Sequence, residues 1–416
     1  MKRSFASAAA VSSRLRVLTR STEHAPTATV SVHLMTKSPA PELAHYLLRG
    51  TTKQTALRIT RESELIGASL SATVNRNGIL LSYDVLRDDV PYAIQTLSDI
   101  VRHPKLAHYD LGEVRTGVER QRAAARQNLM AVLDDACHAA VYRAQSLGQP
   151  LFPTDEAANH HFTEKDATEH WKFAINEATT RIISAGGVDD AEILKLVEPL
   201  KSTFESVSSF SQSTEFFGGQ VHVAHHGLPD AAMIVLDASD AIPTARVLSY
   251  LLGGRSRVQW GQSAPSPLSA LDAQGMKVFA DVISHDGNKS ALLRVGVLSQ
   301  TFHHGPSLVK PMNDIVSALK DVANGKNLDD GNMQRAKRSA MVDIASAWDT
   351  RLGCIENMLA QDLAGSKTYG VEVELQAIEA VSNADVASLS KKMLGKFGVV
   401  GVGNLGNLPF LEDLMS

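Results

Sequence analysis

Apolar residues in this chain recur with two periods, and the order of those periods occurs twice. Ala28 to Gly50 (ATVSVHLMTKSPAPELAHYLLRG) opens with strand-like alternation, passes a Ser/Pro stretch, and then places apolar residues at helical spacing up to a glycine stop. Ala232 to Gly254 (AMIVLDASDAIPTARVLSYLLGG) repeats the pattern 204 positions later. Short strand candidates precede both copies, at Leu15 to Thr19 and at Gln220 to Ala224. Downstream, Leu65 to Leu86 holds two strand patterns around the hairpin signal Asn75-Arg-Asn-Gly78, and a helix follows over Pro91 to Val101. Its counterpart is Met276 to Val297 with a turn at Asp286-Gly-Asn288, followed by a helix over Val309 to Ala323. A long charged helix comes next in each half, Tyr109 to Ala131 and Gly331 to Ala347. Phe162 to Leu200 and Ala377 to Leu414 then each read helix, strand, glycine turn and last helix. Four correspondences in the same order argue for duplication. The expected fold class is α+β: two duplicated domains, each an antiparallel or mixed β-sheet with helices packed on one face.

The segment between the copies, residues 201–219, has eight Ser or Thr in its first fourteen positions and ends in Gly-Gly, the composition of a linker. The expected domains are therefore 13–200 and 220–416. A length of 416 residues agrees with two or three domains, at about 100 to 200 residues each. With 41 basic against 45 acidic residues the net charge is −4, which supplies no basic field for nucleic acid. No run of eighteen apolar residues exists, so no transmembrane segment is expected. Cys137 and Cys354 are the only cysteines, too few for a disulfide framework, an iron-sulfur cluster or a haem attachment motif. Charge is uneven in one place. Met1 to Thr22 has five basic residues, no acidic ones, and Ser/Ala filler, the composition of a mitochondrial transit peptide. Because the first strand candidate begins at Leu15, cleavage is expected near Ser12, giving a transit peptide of residues 1–12.

The segments Ala44-His-Tyr-Leu-Leu-Arg49, Ile59-Thr-Arg-Glu-Ser-Glu-Leu-Ile-Gly67, Leu86-Arg-Asp-Asp-Val90, Val118-Glu-Arg-Gln-Arg122 and Ser146-Leu-Gly148 give the chain a family likeness. From about residue 14 to its C-terminus it resembles the pitrilysin-type (M16) metallopeptidases, which include the mitochondrial processing peptidase and the core proteins of the cytochrome bc1 complex. The resemblance implies a processing-peptidase-like metallohydrolase fold. Active members carry H-x-x-E-H on the first helix: two histidines one turn apart bind zinc and the glutamate is general base. A distal glutamate completes the ligand set and leaves one position open for water. In this chain the motif reads His45-Tyr46-Leu47-Leu48-Arg49. Leu48 has no carboxylate, and Arg49 is always protonated and offers no lone pair to a cation. No glutamate lies between Glu119 and Glu156, the interval of the family's distal ligand, which leaves only Asp134 or Asp135 as oxygen donors. The resemblance thus implies a degenerate zinc motif at His45, Leu48 and Arg49, with no catalytic residue, no metal and no cofactor.

Other clusters carry less. Asp166-Ala-Thr-Glu169-His170 reads as a solvated helix face, and the pairs His160-His161, His225-His226 and His303-His304 read as surface histidines in loops. Gly253-Gly254-Arg255-Ser256-Arg257 lacks the phosphate-loop spacing and reads as a helix stop. The resemblance then implies a non-catalytic scaffold of the bc1 complex, peripheral on the matrix side of the mitochondrial inner membrane, with the other core subunit and the redox subunits as partners. The alternative is the substrate-recognising α subunit of the processing peptidase.

Overall fold

The computed structural model describes residues 15–22, 24–143, 145–153, 161–175, 179–201, 215–253, 266–272, 276–285, 290–299, 307–366 and 369–415. Residues 1–14, most of the expected linker, the Asp286–Asn288 turn, Gly254 to Arg257, His160, His303 and His304 lie outside them. The first half forms β1 (Arg16–Ser21), β2 (Thr27–Leu34), α1 (Pro41–Leu47), α2 (Ala56–Leu65), β3 (Ser69–Asn75), β4 (Gly78–Leu86), α3 (Val90–Arg102), α4 (Leu111–Arg126), α5 (Leu129–Tyr142), α6 (Glu164–Ala174), β5 (Thr180–Gly186) and α7 (Asp190–Lys201). The second forms β6 (Gly219–Ala224), β7 (Ala231–Asp237), α8 (Ile242–Leu252), α9 (Ser269–Asp272), β8 (Met276–His285), β9 (Ser290–Ser299), α10 (Val309–Ala323), α11 (Asp330–Trp348), α12 (Arg351–Leu363), α13 (Val371–Glu379), α14 (Asn383–Met393), β10 (Phe397–Gly403) and α15 (Leu411–Met415).

The duplication is visible in the sheets. Their orders are β1-β5-β2-β4-β3 and β6-β10-β7-β9-β8. In each, the first and last strands pair in parallel and every other neighbour is antiparallel. Both strand candidates that precede the repeats are sheet members, so Arg16 and Arg20 belong to β1.

Local chemistry sets the boundaries. Thr163 and Asp166 close a capping box on α6, and Ser382 and Asp385 close another on α14. The Asn75–Gly78 hairpin forms, with Arg76 and Asn77 as its two loop residues. Neither has positive φ, so the turn is not the primed type that Asn-Gly favours. Gly78 serves another purpose: its φ is +141°, and a Cβ there would lie 2.1 Å from the Leu34 carbonyl oxygen.

The long helix expected from Tyr109 to Ala131 is two helices. Asn128 interrupts it and caps α5, accepting from the backbone N–H of Met130 and Ala131. Thr350 does the same between α11 and α12. These breaks release one helix from each half. The residues divide into two compact units, Met1–Ala123 with Pro150–Gln212 and Ala347–Gly370, and Ala124–Gln149 with Ser213–Ser346 and Val371–Ser416. Helix α5 thus joins the second sheet, and α12 joins the first.

In the first unit, the face of the sheet bearing Val17, Val30, Val32 and Ile182 packs on α1, α3 and α7. Alternation sends Thr29, Ser31, His33 and Arg181 to the other face, where α12 lies. There Asp362 of α12, fully buried, receives Arg181 Nε at 2.7 Å and Arg16 Nη1 at 2.7 Å, and Tyr369 donates to it at 2.9 Å. Burial, then the Asp362 charge, pushes the Tyr369 pKa up to about 12. Arg351 at the other end of α12 donates to Thr27 and Thr29. In the second unit α5 covers Met233, Val235, Val400 and Val402 with Leu133, Ala136, Cys137, Ala140 and Val141. Each fully buried Leu or Val contributes roughly 1.5–3 kcal/mol. Asp134 of α5 accepts from Arg294 Nη1 at 2.8 Å, and Asp281 of β8 binds the same guanidinium through Nε and Nη2. Helices therefore lie on the expected face of the first sheet, and its opposite face receives a helix from the other half.

Truncating Asp362 leaves two guanidinium groups facing a buried void. Asp362→Ala should cost about 3–5 kcal/mol in denaturant unfolding; a loss under ~1 kcal/mol would show that the Arg181 contact contributes little. His33 offers a pH test. It is wholly buried, and desolvation, aided by Arg181, lowers its pKa to about 3. The unfolded chain protonates this imidazole below about pH 6.5 and the native chain does not, so stability falls as pH drops from 6.5 toward 3, by up to about 1.4 kcal/mol per unit. The gap in stability between His33→Leu and the parent chain should shift in favour of the variant between pH 7 and pH 5. An unchanged gap contradicts the assignment.

Candidate functional site

Helix α1 carries His45, and the rest of the degenerate motif follows its end: Leu48 is the C-cap and Arg49 lies in the turn beyond. Pro41 opens the helix, and the chain leaves it for Gly50, whose φ is +107°. Tyr46 and Leu47 are fully buried, Tyr46 in a cluster with Leu111 and Val114 of α4 and Ala167 of α6. That packing turns His45 toward α4. A Cβ on Gly117 would come within 2.7 Å of His45 Cε1 and 2.8 Å of Nδ1, so glycine is what lets the imidazole lie against the α4 backbone. Burial lowers the His45 pKa; a hydrogen bond with the Gln121 side chain opposes the shift and the Arg49 charge adds to it. His45 Nε2 is buried with no hydrogen-bond partner.

Leu48 packs against the first core and brings no donor atom. Arg49 lies four residues beyond His45, and its Nη1 is ion-paired with Glu113 of α4. The surface that α4 presents to the motif is thus Glu113, Gly117 and Gln121. A catalytic zinc needs three protein ligands and an open position. His45 supplies one nitrogen, Leu48 nothing, and Arg49 a cation already held by a carboxylate, so the residues present do not fit zinc. Among the described residues no three His, Cys, Asp or Glu side chains gather into a ligand cluster.

The two oxygen donors left for the motif have another place. Asp134 and Asp135 both sit on α5 in the second unit, and Asp134 is bonded to Arg294. Asp166 is the third residue of its helix and completes the capping box with Thr163, while His170 is half-buried rather than fully solvated, its ring centroid 6.4 Å from that of Phe162. His161 and His226 are exposed. Gly253 ends α8 in the left-handed conformation, φ +100°, as a helix stop does. Sequence reasoning did not identify Gly117 and Gln121 as neighbours of His45, or Glu113 as the partner of Arg49. A glycine within a helical pattern was the one available signal, since it costs about 1 kcal/mol against alanine and calls for a packing reason.

The model of the insulinase family (peptidase family M16) matches residues 41–155, which contain the motif and all of α4. Cytochrome b-c1 complex subunit 2, mitochondrial, of Neurospora crassa is 30% identical over 380 residues, covering 89% of this chain and 82% of its own length. Subunit 2 of Rattus norvegicus is 26% identical over 374 residues, covering 88% and 80%. Mitochondrial-processing peptidase subunit alpha of Solanum tuberosum is 26% identical over 402 residues, covering 91% and 78%.

The His45–Gly117 approach can be tested by a double-mutant cycle. Gly117→Val should destabilise by about 1–3 kcal/mol through overpacking, and much of that cost should vanish in a His45→Ala background. Additive effects would mean that the imidazole does not lie on Gly117. Glu113→Ala, at an exposed ion pair, should change stability by less than about 1 kcal/mol.

Proposed function

This chain belongs to the M16 peptidase family, and from that membership we propose that it is a non-catalytic core subunit of the mitochondrial cytochrome b-c1 complex. The observation that carries the lack of catalysis is Arg49. It stands four residues after His45, where an active member has its second zinc-binding histidine, and it is ion-paired with Glu113. The complex is named by relatives in a fungus and a mammal that align with nearly nine-tenths of the chain. In this role the chain pairs with the other core subunit and supports the redox subunits from the matrix side. No helix among the described residues is long and apolar enough to cross a membrane, which supports a peripheral position. Residues 1–12 serve as the mitochondrial address, leaving 13–200 and 220–416 as the two duplicated portions of the mature chain. Likeness to processing-peptidase α subunits favours a second reading, presequence recognition without catalysis.

Tagging the native chain and isolating its assembly from mitochondria separates the two. Haem b and haem c1 absorption in the eluate is the expected result; a haem-free soluble peptidase would overturn the core-subunit reading. The purified full chain should show no zinc-dependent cleavage of a presequence peptide. N-terminal sequencing of the mature protein should begin close to residue 13, before β1; a start beyond Arg20 would contradict a strand that pairs along Arg16 to Ser21.

A further inference from the structure

We draw no further inference here: the strongest candidate, the outer edge of β3 at the end of the first sheet with the exposed Leu57 and Leu65 on the adjoining α2, carries nothing because no feature among the described residues shows what covers it.

Discussion

Asp362 is the carboxylate on which the far face of the first sheet depends. That face carries Arg16, Arg181, Thr29, Ser31 and His33, side chains that an apolar helix could not cover without leaving charges unpaired. Helix α12 covers it because it brings a buried acid to the two arginines and an arginine of its own to the threonines. The second sheet solves the matching problem with opposite chemistry. Its face toward α5 is mostly Val, Met and Leu, with one buried cation, Arg294, shared by Asp134 and Asp281. Each buried arginine on these faces selects its incoming helix by charge, while area burial supplies most of the stabilisation.

Much of the fold was legible in the sequence. The 204-residue offset matches β2 with β7 and α1 with α8, while the cover on the second face of the first sheet was not expected, although the alternation of Thr29, Ser31 and His33 with Val30 and Val32 sets that face apart. The exchange of α5 and α12 was not legible. Periodicity identifies a helix and its apolar stripe, but Leu133, Cys137 and Val141 would suit either sheet equally well. What decides the partner is a single long-range charge on each side, Arg294 for Asp134 and Arg181 for Asp362, separated by 160 and 181 positions. Asn128 and Thr350 were the local hints, since a good N-cap inside a helical pattern marks a new helix free to take a new direction.

The site divides in the same way. The loss of the zinc set follows from residue identity alone at Leu48 and Arg49. How α1 and α4 accommodate that loss follows only from coordinates: at that position His45 lies against Gly117, and Arg49 is ion-paired with Glu113.

The exchange is tested most directly by cutting the chain between its halves. A specific protease site placed within the Ser-rich segment 201–219, cleaved to completion, severs the sequence without touching α5 or α12. If each sheet holds a helix from the other half, the two fragments must co-elute on size exclusion and unfold as one species, and each fragment expressed alone must fail to unfold cooperatively. Fragments that separate in native buffer and each melt cooperatively would contradict it.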